Sequence, residues 1–298
     1  MKAICIGHST YDITLPVENF PIENIKTRIK HKVECGGGPA SNAAYLLSKW
    51  GVDTTIGSVL GNDYYADKII EEFKKVGATT SYLEKHNGHY TSSSYIIANQ
   101  KTGSRTVITS KDEPITKLNK KIKEKADIIL IDGEHPITAI ETLENNPNAI
   151  SILDAGRLND YTKQIGKKVT YLICSKDFAK EFTRINIDTN NINDLKDCYH
   201  KLNDYFNTNI IITLEENGSF TKILNEYKII PTIKVNSIDT TGAGDIYHGA
   251  FAYFIGNNYN IEDSIKYASI TAALSTTKLG SRIAIPELKE VLEYDTVI

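Results

Sequence analysis

From residue 3 to residue 215 the chain keeps returning to one pattern. A short run of Ile, Leu and Val is followed by a stretch with apolar residues at helical spacing. The strand candidates are AICIG (3–7), TTIGSVL (54–60), DIILID (127–132), AISILDA (149–155), VTYLICS (169–175) and NIIITLE (209–215). None alternates cleanly between apolar and polar residues, as expected of strands covered on both faces. Between them, YADKIIEEFKKVG (65–77) and NDLKDCYHKLNDYF (193–206) carry the helical spacing. The alternation predicts an α/β fold: a three-layer α/β/α sandwich around a central, mostly parallel sheet.

Two segments break the rhythm. Residues 11–35 and 90–109 alternate apolar with polar residues and contain turn signals such as KTG at 101–103. They predict antiparallel strands with one wet face, assembled as a small β-sheet lid inserted into the α/β body. The 298 residues fit one large α/β domain or two small ones, and with no internal repeat or interdomain linker visible a single domain over 1–298 is expected.

Charge and cysteine usage narrow the function classes. Lys plus Arg number 34 against 37 Asp plus Glu, a net charge of −3, so no basic field recruits nucleic acid or an anionic membrane. The four cysteines, Cys5, Cys35, Cys174 and Cys198, show no CxxC spacing and suit a reducing compartment. The apolar run in MKAICIGHSTYD is too short for a signal peptide, and no stretch is long enough to span a membrane. A cytoplasmic protein is expected.

Two glycine-rich loops carry the chemistry. CGGGPASNAAYLLSKWG (35–51) leads into a helix, and Gly36, Gly37 and Gly38 permit close backbone approach. Either it is a flexible turn feeding a buried helix, or it lets a polar ligand touch backbone with Asn42 facing it, an amide suited to vicinal hydroxyls. DTTGAGD (239–245) is the stronger signal. Exposed amides at a helix start bind anions, and Gly242, Ala243 and Gly244 would let a phosphoryl group reach them. Asp245 would repel that anion unless it takes a proton from the attacking hydroxyl. No GxxxxGK[ST] and no N-terminal GxGxxG is present, which excludes a P-loop and argues against a dinucleotide site.

With both loops in view, the chain resembles the ribokinase-like (PfkB-type) carbohydrate kinases nearly end to end. The resemblance runs through IGHSTYD (6–12), GGGPASNAA (36–44), SVLGNDYYADKIIEEFKKVGA (58–78), TGAGD (241–245) and GSRIAIP (280–286). It implies that Asp245 is the base, with the backbone of Gly242, Ala243 and Gly244 as anion hole. Asp12, Gly38 and Asn42 would hold the sugar. Thr213, Glu216, Gly218 and Thr241 would flank the nucleotide, and a helix over 261–280, with Ala272, would wall the adenine. ATP and Mg2+ are the implied cofactors. K+ would implicate the backbone around Asp239, and the lids would pair into a homodimer. GSRT (103–106) and SKDFAK (175–180) are similar to ketohexokinase, which makes Arg105 a further substrate contact unless it is a solvated hairpin residue.

The sequence departs from the family pattern in several places. Ser175 and Phe178 stand where many members carry the Asn and Glu of N-x-x-E. Glu215 replaces a glycine of the nucleotide segment, where it would either narrow the phosphate channel or point outward. Pro39 stands where ketohexokinase has an Asn. The first glycine loop carries no cation, so an uncharged sugar, ketohexose- or pentose-like, is favoured. A phosphorylated or otherwise anionic sugar would need Arg105, Arg157, Lys26 or Arg28, and a nucleoside would need an aromatic slot near Tyr11 or Tyr95. The reading from another class is a non-catalytic sugar- or nucleotide-binding protein on the same scaffold.

Overall fold

A computed structural model describes residues 1–189 and 191–294; the last four positions of the expected 1–298 domain lie outside the described residues. The first half runs β1 (Lys2–Ile6), β2 (Thr10–Val17), β3 (Val33–Gly37), α1 (Pro39–Lys49), β4 (Asp53–Gly61), α2 (Tyr64–Lys75) and β5 (Thr79–His86). Then come β6 (Ser92–Asn99), β7 (Arg105–Ser110), β8 (Ile128–Ile131), α3 (Pro136–Asn145), β9 (Ile150–Ala155) and α4 (Asp160–Gly166). The chain continues through β10 (Tyr171–Ser175), α5 (Lys176–Thr183), α6 (Ile192–Phe206), β11 (Asn209–Thr213), β12 (Ser219–Ile223) and β13 (Glu226–Ile230). It ends with α7 (Ala243–Gly256), α8 (Ile261–Ser275) and α9 (Leu288–Glu293).

Nine strands form the main sheet in the order β13-β12-β11-β10-β9-β8-β1-β4-β5. All its pairings are parallel except β11 with β12 and β12 with β13. Successive strand residues enter opposite cores. Ala3, Cys5, Ile128 and Leu130 pack on one face with α1, α2, α7 and α8. Ile4, Ile6, Ile129 and Ile131 pack on the other with α3, α4, α5 and α6. Both faces are therefore apolar, which is why the strands lack alternation. Each fully buried side chain of this kind contributes about 1.5–3 kcal/mol.

The second sheet has four strands in the order β3-β2-β6-β7. The expected all-antiparallel pairing is corrected here, because the central pair β2–β6 is parallel while β2–β3 and β6–β7 are antiparallel. Only the ends of the 11–35 segment are strands, and residues 18–32 form no regular element and are mostly exposed. The helix expected over 261–280 ends at Ser275. The edge strands β5 and β13, and β12 beside β13, carry no clear signal of their own in the sequence.

Candidate active site

Helices α1 and α7 start side by side. Gly38, at φ 97°, precedes Pro39 in the first turn of α1, and Asn42 is buried one turn in. Gly242, at φ 75°, begins α7, and no side chain caps that N-terminus. Its left-handed backbone favours glycine. A Cβ there would also lie 2.8 Å from Ser281 Cβ and 3.2 Å from Asn42 Nδ2. A Cβ on Gly244 would meet only open space. Of the small residues in this loop, Gly242 thus answers to packing, and Gly244 leaves the helix mouth bare.

Asn42 Nδ2 donates to Asp245 Oδ2 at 2.8 Å. Burial pushes the Asp245 carboxyl up to about 7, with the Asp154 carboxylate adding to the rise. The Asn42 hydrogen bond, His248 and Arg105 pull the other way. Asp12, on β2, is buried, and its carboxyl is likewise raised to about 7, first by burial and then by Asp245. Ser281 Oγ donates to Asp12 Oδ2 at 3.4 Å. Beneath Asp245, His248 Nδ1 lies 2.6 Å from the Gly244 carbonyl oxygen and 3.2 Å from Asp154 Oδ2, and burial raises Asp154 to about 8.

The three glycines ahead of α1 have three different neighbours. A Cβ on Gly36 would strike the Arg282 guanidinium at 2.1 Å, on Gly37 the Asp12 carboxylate at 2.0 Å, and on Gly38 the His8 carbonyl at 2.4 Å. Arg282 and Glu72 form an ion pair at 2.8 Å.

Asp239 is buried and uses both carboxylate oxygens. One accepts from Thr241 N and the other from Gly280 N, each at 2.9 Å. It ties the loop before α7 to the turn that carries Ser281 and Arg282. Arg105, the first residue of β7, donates to Thr240 Oγ1, so the small sheet touches the same loop. Asp12, Gly38, Asn42, Arg105, Gly242, Ala243, Gly244 and Asp245 thus lie in one neighbourhood around the start of α7.

Three of the nucleotide candidates lie together at the end of β11 and the turn after it. Thr213 ends β11, Glu216 is exposed in a short 3-10 turn, and Gly218 has φ 86°. A Cβ on Gly218 would lie 2.1 Å from the Ile230 carbonyl oxygen. Ser219, next along, donates to Tyr247 Oη at 3.0 Å and so links this turn to α7. Thr241 has a buried hydroxyl without a hydrogen-bond partner, and Ala272 lies half-buried on α8.

The departures from the family pattern now have structural readings. Ser175 caps α5 by accepting from Phe178 N at 3.1 Å, and Phe178 is core. Glu215 adopts φ 56° and turns outward to pair with Lys176 at 3.0 Å. Lys26, Arg28 and Arg157 are exposed. Tyr11 is stacked on Tyr65 with ring centroids 4.8 Å apart, leaving no open slot there, and Tyr95 is exposed. A polar hollow beside the site is lined in part by His8, Ser92, His89, Lys111, Glu134 and His135. Its lysine is matched, Lys111 pairing with Glu134 at 2.9 Å, and His89 Nδ1 lies 3.0 Å from Asp112 Oδ2. Sequence reasoning missed Glu72, Glu134, Asp154, His248, Ser281 and Arg282; of these, Ser281 and Arg282 stand within GSRIAIP and Glu72 within the 58–78 segment, but none was singled out.

A family model described as pfkB family carbohydrate kinase matches residues 1–288. The chain is 28% identical to a ribokinase of Staphylococcus aureus (strain COL), covering 97% of this chain and 98% of that one. It is 31% identical to the bifunctional protein HldE of Aliarcobacter butzleri (strain RM4018), over 93% of this chain and 59% of that protein. The structure of Arabidopsis thaliana ribokinase complexed with ribose and ATP matches with a TM-score of 0.78 at 20% identity, covering 98% of this chain and 97% of that one.

Proposed function

Because the chain belongs to the pfkB family of carbohydrate kinases, we propose that it transfers the γ-phosphoryl group of ATP to a hydroxyl of an uncharged sugar, with Asp245 as base. The observation that carries this reading is the uncapped start of α7 with Asp245 in its first turn, held by Asn42 at 2.8 Å. Asn42 occupies Oδ2 and leaves Oδ1 to take the hydroxyl proton. The sugar oxygen then attacks the γ-phosphorus, the bond to the bridging oxygen breaks, and ADP leaves with that electron pair. Amides at Gly242, Ala243 and Gly244 steady the charge on the moving group, each well-aimed donor contributing roughly 3–4 kcal/mol.

Asp12, Gly38 and Asn42 hold the sugar. Arg105 meets the reacting end from the small sheet, because it rests on Thr240 and its charge reaches Asp245. Thr213, Glu216, Gly218, Thr241 and Ala272 form the nucleotide side, a role for which the unpartnered Thr241 hydroxyl is suited. The pairing of Lys111 with Glu134 leaves no unmatched lysine at the polar hollow, which favours an uncharged sugar over an anionic one. The buried stack of Tyr11 on Tyr65 disfavours a nucleoside.

Magnesium would travel with ATP and neutralise phosphate charge; among the described residues no group of three or more His, Cys, Asp or Glu side chains offers a protein cage. Both Asp239 oxygens already serve amides, which leaves a potassium ion to the carbonyls of that loop. The whole chain acts as one catalytic unit, with the second sheet as its lid. A second copy pairs along that lid, where β7 is exposed throughout and Val107, Ile108, Phe20, Ile22 and Ile25 show apolar surface. Four free buried cysteines fit a reducing cytoplasm, and no helix among the described residues is long and apolar enough to cross a membrane.

A coupled ATPase assay over ketoses, aldoses, nucleosides and sugar phosphates tests the reading. Sugar-dependent ADP release with an uncharged sugar is expected. Silence with every acceptor, despite measurable ATP binding, would instead identify a non-catalytic binding protein.

A further inference from the structure

Arg282 is 2% exposed, yet it carries a full charge into the wall of the site. Its guanidinium has a specific set of partners. Nη1 meets Glu72 Oε2 at 2.8 Å, Nη2 donates to Ser41 Oγ at 2.6 Å, and Nε donates to Asn42 Oδ1 at 3.4 Å. Its plane lies over the Phe73 ring, 4.4 Å from the centroid, and 5.2 Å from that of Tyr45. Glu72 accepts in turn from Gly36 N at 2.9 and 3.1 Å. One guanidinium therefore joins the turn after α8, helix α2, the glycine loop and the first turn of α1.

Stability alone gives little reason for this arrangement. A buried ion pair is often no better than apolar side chains of the same volume, and Phe73 and Tyr45 already supply an apolar setting. The contact with Asn42 does something an apolar residue cannot. A primary amide has a donor end and an acceptor end. With a cation at Oδ1 and a carboxylate at Nδ2, only one orientation satisfies both. The flipped amide would aim its N–H groups at the guanidinium and its oxygen at Asp245.

We propose that Arg282 is a positioning residue: it fixes the Asn42 amide so that the N–H end faces Asp245 and Oδ1 of that base stays free for the acceptor hydroxyl. Glu72 anchors the guanidinium for this purpose. The proposal rests on the reading of Asp245 as base, and its test is built so that the two fail separately.

The test is a double-mutant cycle on kcat, with folding checked by near-UV circular dichroism and thermal melting. Arg282→Met should lower kcat about tenfold when Asn42 is present. In an Asn42→Ala background the same change should cost less than about twofold, because the group through which Arg282 acts is gone. A merely structural role predicts equal losses in both backgrounds, and that outcome overturns the proposal, as does an unchanged kcat in the first. If Arg282→Met does not fold, Glu72→Gln releases the anchor at nearly constant shape and must show the same dependence on Asn42. Failure of the base assignment reads differently: Asp245→Asn would then retain turnover whatever the cycle shows.

Discussion

Asn42 and Asp245, 203 residues apart in the chain, meet through a 2.8 Å hydrogen bond that joins the first turns of α1 and α7. The bond makes the carboxylate directional. One oxygen is held by an amide, and the other is left for chemistry.

Asp245→Asn is expected to lower kcat by about 10²-fold or more, the usual scale for loss of a positioned base. Sugar affinity, measured by calorimetry without ATP, should stay within about threefold. Unchanged turnover would remove Asp245 from the base role.

The pH profile follows from the raised carboxyl. A base with its pKa near 7 works when ionised, so kcat/KM should fall as pH drops through about 7. Arg105 and the Asn42 hydrogen bond both favour the ionised form. Arg105→Ala and Asn42→Ala should therefore move that limb to higher pH, besides raising the KM for sugar. A limb that stays near the ordinary carboxylate range, around 4, would contradict the electrostatic account of the site.

Stability should vary with pH in the matching sense. Asp245 in the folded protein keeps its proton up to about 7, whereas unfolded Asp loses it near 3.8. Its contribution is fully present below the unfolded value and is lost as pH rises through about 7. Asp245→Asn removes this dependence. The melting temperature of the variant relative to the parent should thus be higher at pH 8 than at pH 5, by about 2–4 °C for each kcal/mol involved. Differential scanning calorimetry at the two pH values reads the sign.

Gly242→Ala should destabilise the fold and abolish turnover. Its φ of 75° strains any L side chain, and the added Cβ would press on Ser281 at 2.8 Å and displace the Asn42 amide. The backbone part alone is about 1–2 kcal/mol. Gly244→Ala, which meets open space, should melt near the parent and lose activity only through the phosphoryl group.

Glu215→Gly tests the outward reading of that side chain. Since Glu215 pairs with Lys176 at an exposed position and holds a left-handed backbone, the change should leave kcat within about twofold. A marked rise in turnover would mean that the carboxylate obstructs the nucleotide channel.

What was legible in the sequence was local. Runs such as IILI and IIIT announce buried strands because each residue meets one of two apolar layers. TGAGD announces a bare helix mouth because small residues and an acid are uncommon there together. What stayed hidden depends on distant partners. GSRIAIP gives Arg282 no role of its own, because its partners Glu72 and Asn42 stand 210 and 240 residues away in the chain. Residues 18–32 pattern like a strand, yet the neighbours that would pair with them are absent from both sheets. The parallel β2–β6 pairing is likewise set by where the chain returns after the main sheet, which no local alternation records.

Asp239 fastens the loop ahead of Asp245 and the turn bearing Ser281 and Arg282 through its one side chain. Neither segment can swing away from the other without leaving a buried carboxyl oxygen short of its amide partner. Under the proposed function the two segments would then move as one plate, and an opening stroke to admit an acceptor would fall to the small sheet, where the Arg105–Thr240 contact is the clasp to be undone.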